Sequence, residues 1–241
     1  MSLPINAKAA QAVHWHELPN LQALQKAALQ RILDAAARAI ATRQAFHIVL
    51  SGGNTPRPIY QMLRLQKTDW SAWHVYFGDE RAAPRDDKER NSQMAKETWL
   101  DHVPIPAPQV HVIPAEQGAA HAAAAYAEVL RHVGDFDLVL LGLGEDGHTA
   151  SLFPGHDWGA APESPDVLAV FNAPKPPPER VSLSARRLTQ AQAVLFIVEG
   201  DAKAAAVAQW HAGSPLPASA IRPAAGVDVL VTAESLEPQI P

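Results

Sequence analysis

Asp146 and His148 lie in a glycine-rich segment that directly follows a run of apolar residues. The run covers residues 138–143 (LVLLGL), and it predicts a buried strand. Glycines at positions 142, 144 and 147 let the chain turn sharply, which keeps the carboxylate and the imidazole close together. A histidine beside an aspartate at a strand end is suited to proton transfer near neutral pH. We therefore predict that His148 carries the chemistry of this protein.

Two other functions are possible for the same segment. Its glycines match the dinucleotide-binding pattern Gly-x-Gly-x-x-Gly, but that pattern should open a long amphipathic helix. Residues 151–155 (SLFPG) would interrupt a helix here, so we do not expect a nucleotide. His148 and His156 could instead bind a metal ion. Because their surroundings offer no convincing third ligand, we expect no metal.

A second glycine-rich turn follows the apolar run at residues 46–50. Its sequence is Ser51-Gly52-Gly53-Asn54-Thr55-Pro56, in which Thr55 and Pro56 predict the start of a helix. Backbone N–H groups at such a helix start can bind a phosphate group. An ordinary strand-to-helix turn would explain the glycines equally well. The turn lacks the Gly-Lys-Ser/Thr ending of a P-loop, and no G-x-S-x-G motif supports Ser51 as a nucleophile.

Three cations could help to hold an anion. Arg81 ends the charged sequence Asp79-Glu80-Arg81, directly after a predicted strand, and a guanidinium can bind an anion through two hydrogen bonds. Arg180 precedes the sequence Val-Ser-Leu, and Lys203 follows another predicted strand. Each alone would usually be a solvated surface charge. Together with the glycine turn, they could neutralise a phosphate dianion.

Strands and helices alternate along the chain. Apolar residues recur every three or four positions over residues 21–41, which predicts an amphipathic helix. Further helices are predicted at 61–66, 92–102, 119–132 and 203–211, and strands at 46–50, 74–77, 110–113, 138–143, 167–171, 193–198 and 227–231. This alternation predicts an α/β fold with a mostly parallel sheet covered on both faces. Ligands of such sheets bind at the carboxyl ends of the strands.

The composition limits the class of protein. A chain of 241 residues, 47% of them hydrophobic, suits a single domain, which we predict to span residues 1–241. It contains no cysteine, which fits a reducing cytoplasm, and we find no signal sequence and no apolar stretch long enough to cross a membrane. The net charge is −5 and the basic residues are scattered, which argues against nucleic acid as a partner. We expect a cytoplasmic protein with a locally held anionic ligand.

In this order, several segments resemble the 6-phosphogluconolactonase family, whose superfamily also holds the glucosamine-6-phosphate deaminases. The matching segments are 51–56 (SGGNTP), 77–81 (FGDER), 91–92 (NS), 141–155 (LGLGEDGHTASLFPG), 180–183 (RVSL) and 200–204 (GDAKA). Each segment alone could occur in other families, so the resemblance to this family rests on their combination. The resemblance implies a Rossmann-like αβα domain that hydrolyses 6-phospho-D-glucono-1,5-lactone to 6-phospho-D-gluconate in the oxidative pentose phosphate pathway. It implies no metal and no organic cofactor.

The resemblance also suggests a mechanism. Neutral His148 would take a proton from water as the water attacks the lactone carbonyl, and would return a proton to the ring oxygen. Asp146 or Asp79 would orient the histidine or the sugar hydroxyls. Arg81 or nearby backbone N–H groups would stabilise the oxyanion. The residues predicted to bind the substrate and its phosphate are Ser51, Gly52, Gly53, Asn54, Thr55, Arg81, Arg180 and Lys203.

Phe153 helps to choose the reaction within the superfamily. The deaminases resemble this chain in the sequence Asp-Gly-His, but they carry a carboxylate five positions after the histidine for sugar ring opening. Phe153 takes that position here. We therefore expect a lactone hydrolase, with an amino-sugar-6-phosphate deaminase or isomerase as the nearest alternative. A non-catalytic sugar-phosphate sensor is the other alternative, although a sensor would not need the Asp146–His148 pair.

Overall fold

The computed structural model describes residues 11–236, which form ten strands and six α-helices. The strands are β1 (Val13–Leu18), β2 (Phe46–Leu50), β3 (Trp73–Phe77), β4 (Asp79–Arg81), β5 (Val110–His111), β6 (Leu138–Gly142), β7 (Val167–Val170), β8 (Arg180–Leu183), β9 (Val194–Val198) and β10 (Val227–Thr232). The helices are α1 (Leu21–Arg43), α2 (Arg57–Leu63), α3 (Asn91–Thr98), α4 (Ala119–Leu130), α5 (Ala185–Thr189) and α6 (Ala204–His211).

Seven strands form one parallel sheet in the order β1-β10-β9-β6-β2-β3-β5. The central strands are almost wholly buried, which explains their continuous apolar sequences. Helix α1 packs one face against this core through residues that include Leu24, Ala28 and Ile32. The predicted α/β fold with a mostly parallel sheet is confirmed. Among residues 11–236, no helix combines the length and the apolar character needed to cross a membrane.

All seven predicted strands are present, with small differences at their ends. The largest differences concern the predicted helices. The helix predicted at 61–66 is α2, which begins earlier, at Arg57. The helix predicted at 92–102 ends at Thr98 and is followed by a separate 3₁₀ turn, Leu100–His102. The domain bounds of 1–241 stay a prediction, because residues 1–10 and 237–241 lie outside the described residues.

Four elements were not predicted from the sequence, namely β1, β4, β8 and α5. Strands β4, β8 and β7 form a small antiparallel sheet, in which Asp79 pairs with Ser182 and Arg81 pairs with Arg180. The charged sequence at residues 79–81, which the sequence placed only as a cluster after β3, is therefore itself a strand. Residues 79–81 lack the apolar pattern by which a strand is recognised, and their partner strand β8 is distant in the sequence. The small sheet brings Arg81 and Arg180 side by side.

The order of the strands reverses between β2 and β6. Strands β3 and β5, which follow β2 in the chain, lie on one side of it, whereas β6 and β9 lie on the other side. A reversal of this kind opens a crevice at the carboxyl ends of the strands, where ligands bind. The turn at residues 51–56 leaves β2 and the segment with His148 leaves β6, so both border this crevice.

Candidate active site

A cavity of about 430 Å³ lies at this crevice. Ten of the eleven predicted site residues line it, namely Ser51, Gly52, Gly53, Asn54, Thr55, Asp79, Arg81, His148, Arg180 and Lys203. The eleventh, Asp146, does not line the cavity but contacts His148. The loops after β2, β6 and β9, together with strands β4 and β8, therefore bring together the residues that were predicted from the sequence.

Asp146 fixes the orientation of His148. Its Oδ1 atom forms a short hydrogen bond with His148 Nδ1 and also accepts the backbone N–H of His148 at 3.2 Å. A carboxylate that accepts from Nδ1 keeps the proton on that nitrogen, so Nε2 carries the lone pair. His148 is thus arranged as a base that acts through Nε2.

The surroundings of His148 favour its neutral form. Burial lowers the pKa of His148 below its ordinary value, although the hydrogen bond and the negative charge of Asp146 act in the opposite direction. The positive charge of Lys175 also lowers this pKa. Burial raises the pKa of Asp146, but the hydrogen bond and the charge of His148 outweigh it and leave that pKa below its usual value. A neutral imidazole beside an ionised carboxylate can accept a proton near neutral pH.

Phe153 packs between His148 and Arg180. The ring centroids of Phe153 and His148 are 4.8 Å apart, and the Arg180 guanidinium carbon lies 5.6 Å from the Phe153 ring centroid. The Phe153 side chain is fully buried. An aromatic ring in contact with a guanidinium and an imidazole fixes both without adding a charge.

The turn at residues 51–56 packs closely against the Asn91 side chain, which is possible because position 52 is a glycine. Gly53 has a φ of 95°, a conformation that favours glycine, and a Cβ atom on Gly52 would lie 1.8 Å from Asn91 Oδ1. Within the described residues, the backbone N–H groups of residues 52–55 donate no hydrogen bond. They are available to an anion in the cavity.

Thr55 does not cap α2 as the sequence predicted. The helix begins at Arg57, with Pro56 at the N-cap position and no side-chain hydrogen bond there. The Thr55 hydroxyl instead donates to Glu199 Oε1 at 2.9 Å. The prediction was wrong because the hydroxyl finds a stronger, charged acceptor on a loop that is distant in the sequence.

Arg81 and Arg180 both use part of their hydrogen-bonding capacity within the protein. Arg81 Nη1 donates to the carbonyl of Glu89 at 2.6 Å and to Asn91 Oδ1 at 2.5 Å. Arg180 donates to three carbonyls of the proline-rich loop, those of Lys175, Pro176 and Pro177. Arg180 therefore holds this loop against the cavity.

Lys203 keeps its ammonium group near the cavity. Its Nζ atom lies 3.7 Å from Glu145 Oε1, and the Glu145 side chain is 61% exposed. An ion pair with so exposed a carboxylate is weak. Lys203 can therefore turn towards an anion in the cavity at little cost.

Asp79 does not form a hydrogen bond with His148. Its Oδ1 atom accepts from Asn91 Nδ2 at 2.9 Å, and its Oδ2 atom accepts from the Ser151 hydroxyl at 2.6 Å. Of the two carboxylates that the sequence offered as partners of the histidine, Asp146 is the one in contact with it. Asp79 still raises the pKa of His148 through its charge, although burial has the larger, opposite effect.

Glu80 has a structural position rather than a place in the cavity. Its carboxylate is fully buried and accepts the backbone N–H groups of Asn91 at 2.7 Å and Ser92 at 2.9 Å, at the start of α3. The buried Arg90 lies 3.4 Å away. This arrangement stabilises the helix start and places Asn91 between Asp79 and Arg81.

Eleven of the residues that line the cavity were not selected from the sequence as site residues, and three of these carry an ionisable or amide side chain. Asn91 was noted only as part of a helix start, Lys175 lies in a proline-rich segment, and Glu199 ends an apolar strand. Asn91 lies inside a segment that carries the family resemblance and Glu199 directly precedes another, whereas Lys175 had no such signal. Among the described residues, no three histidine, aspartate or glutamate side chains lie close enough together to hold a metal ion. His156 contacts the Phe153 ring, at 5.9 Å between centroids.

The fold and the site together define an α/β enzyme with an aspartate–histidine pair at a cavity lined by several cationic side chains. Residues 19–230 match the family described as glucosamine-6-phosphate isomerases/6-phosphogluconolactonase, and the chain belongs to this family.

Relatives from several bacteria carry the name 6-phosphogluconolactonase. The protein from Mycobacterium leprae is 40% identical over 220 residues, which cover 86% of this chain and 87% of the relative. The protein from a Nostoc species is 38% identical over 206 residues, which cover 82% and 84%.

Solved structures agree with these relatives. The 6-phosphogluconolactonase from Thermotoga maritima has a TM-score of 0.84 at 27% identity and covers 92% of this chain and 100% of its own. The enzyme of the same name from Trypanosoma brucei also has a TM-score of 0.84 at 27% identity, with 94% and 98% covered. A monomeric glucosamine-6-phosphate deaminase with a TM-score of 0.80 is only 18% identical and shares the fold.

Proposed function

We propose that this enzyme hydrolyses 6-phospho-D-glucono-1,5-lactone to 6-phospho-D-gluconate, a step of the oxidative pentose phosphate pathway. The observation that carries this proposal is the Asp146–His148 pair at a cavity that the glycine turn also lines, where the N–H groups of residues 52–55 donate to no other described residue. The names of relatives that are about 40% identical over most of the chain support it.

The reaction needs one base and one oxyanion site. His148 Nε2 takes a proton from water while the water oxygen attacks the lactone carbonyl carbon. The tetrahedral intermediate then breaks its bond to the ring oxygen, and the imidazolium returns the proton to that oxygen. Asp146 stabilises the imidazolium that exists between these two steps. The product acid loses its proton to the solvent.

The cations near His148 suit the negative charge that develops on the carbonyl oxygen. We assign the oxyanion to Arg81, whose guanidinium lines the cavity and is fixed through Asn91. Lys175 also lines the cavity and acts on the pKa of His148, so it contributes positive charge at the same end.

We place the phosphate group of the substrate at the glycine turn, which lines the cavity. The N–H groups of residues 52–55 would bind its oxygens, and Lys203 and Arg180 would neutralise part of its charge. Ser51 lies at the start of the same turn and lines the cavity. This division leaves the His148 end free for the lactone.

Phe153 favours hydrolysis over deamination. Its buried ring occupies the position at which the sequence resemblance expects a carboxylate in the deaminases. Without that carboxylate, the site lacks a proton carrier for ring opening. We also propose a cytoplasmic location, as the sequence predicts.

A rate comparison on two lactones tests the proposed function. Such lactones also hydrolyse spontaneously, so the substrate must be generated freshly and the uncatalysed rate subtracted. We expect fast hydrolysis of 6-phosphogluconolactone, much slower hydrolysis of unphosphorylated gluconolactone, and no ammonia release from glucosamine-6-phosphate. Equal rates on the two lactones would contradict the phosphate site, and ammonia release would favour the deaminase.

A further inference from the structure

Glu199 places a carboxylate in the wall of a cavity that we assign to an anionic ligand. It directly follows β9 and lines the cavity together with Thr55 and Lys203. A negative charge at this place disfavours a bound phosphate group, because like charges repel, and more strongly where water is partly excluded. The presence of Glu199 therefore needs an explanation other than ligand attraction.

The hydrogen bonds of Glu199 connect it to the glycine turn. Its Oε1 atom accepts from the Thr55 hydroxyl at 2.9 Å. Its Oε2 atom is buried and has no hydrogen-bond partner among the described residues. The Glu199 side chain as a whole is half-buried, and a hydrogen bond to a charged acceptor is stronger than one between neutral groups. Within the described residues, Thr55 is its donor.

The Thr55 hydroxyl has only one proton to donate. While Glu199 accepts that proton, Thr55 cannot donate it to a phosphate oxygen. The backbone N–H groups of the turn have no such competitor within the described residues. A phosphate group in the turn therefore competes with Glu199 for Thr55, but not for the backbone.

We propose that Glu199 is a positioning residue that occupies the Thr55 hydroxyl and so weakens the binding of phosphorylated ligands. This inference rests on the proposed function, since it takes the glycine turn as the phosphate site. The product of the reaction carries a new carboxylate as well as its phosphate. We expect it to leave a site with weakened phosphate binding more readily than it would leave one without Glu199. Glu199 thus sets the balance between substrate binding and product release.

The variant Glu199→Gln tests this role. Glutamine keeps the shape of the side chain but removes its charge and accepts the Thr55 proton more weakly. We expect the dissociation constant of inorganic phosphate, measured by calorimetry near neutral pH, to fall roughly three- to tenfold, the equivalent of one hydrogen bond. The KM for the phosphorylated lactone should fall with it, and by a larger factor than any change in kcat.

A second pair of variants distinguishes the effect of the Thr55 hydroxyl from the effect of the Glu199 charge. In a Thr55→Val background no hydroxyl is available, so Glu199→Gln should improve phosphate binding by a smaller factor than in the wild type. An unchanged or raised dissociation constant in folded Glu199→Gln would overturn the inference, as would an equal gain in both backgrounds. If Glu199→Gln does not fold, the same comparison with Glu199→Ser decides. Failure of the proposed function would appear separately, as a wild-type protein without lactonase activity.

Discussion

Gly144 and His148 are packed so closely that a side chain on Gly144 would overlap the imidazole. A Cβ atom on Gly144 would lie 2.0 Å from His148 Nδ1, 2.2 Å from His148 Cε1 and 2.7 Å from Asp146 Oδ1. The second glycine of the segment is therefore required by the Asp146–His148 pair and not by a nucleotide. This contact explains the middle glycine of a pattern that otherwise resembles a dinucleotide-binding sequence.

Gly144→Ala should lower kcat/KM by roughly a hundredfold, because a displacement of about 1 Å at a catalytic group has an effect of that order. The measurement is lactonase turnover on freshly generated substrate. Gly134→Ala is the matched control, since nothing lies within 4 Å of a Cβ atom there and the residue is remote from the cavity lining. Equal activity of the two variants would show that the imidazole does not depend on this packing.

Asp146→Asn should move the acid limb of the pH–rate profile to lower pH. The hydrogen bond and the charge of Asp146 raise the pKa of His148, so their removal leaves burial unopposed and lowers that pKa further. The plateau rate should also fall, roughly tenfold or more, because an amide does not fix the proton on Nδ1. Profiles of kcat/KM against pH measure both effects, and the exposed Asp86→Asn is the control. A shift to higher pH would contradict the assignment of Asp146.

Phe153→Ala should lower the free energy of unfolding by about 3–5 kcal/mol, the usual cost of removing a buried phenylalanine side chain. It should also lower kcat, since the ring packs against His148. Phe171→Ala is the matched control, because 48% of that side chain is exposed and its loss should cost much less. Urea unfolding measures the difference. Similar values for the two variants would mean that the ring at position 153 contributes little to the packing of the site.

The sequence could predict the parts of the fold that follow local rules. Strands β2, β3, β6 and β9 are buried on both faces, so their apolar runs identified them. Strands β4 and β8 could not be found in this way, because their polar residues become buried only when the two strands pair. A charged sequence gives no sign of a partner strand that is distant along the chain.

The same limit applies to the candidate site. Asp146 and His148 are two residues apart, so their contact could be predicted from a tight turn. The bond between Thr55 and Glu199 joins two loops that only the completed sheet brings together. The hydrogen bonds of Arg180 to the proline-rich loop could not be anticipated either, since a cation near a strand end was expected to face the ligand.

The central claim is that His148 is the base that activates water. The direct measurement is kcat/KM of His148→Ala on freshly generated 6-phosphogluconolactone, with the spontaneous rate subtracted and folding checked by circular dichroism. His121→Ala is the control, because that histidine is exposed on α4. We predict a loss of about 10²- to 10⁴-fold for His148→Ala and wild-type activity for His121→Ala. A folded His148→Ala variant with near wild-type turnover would contradict the account.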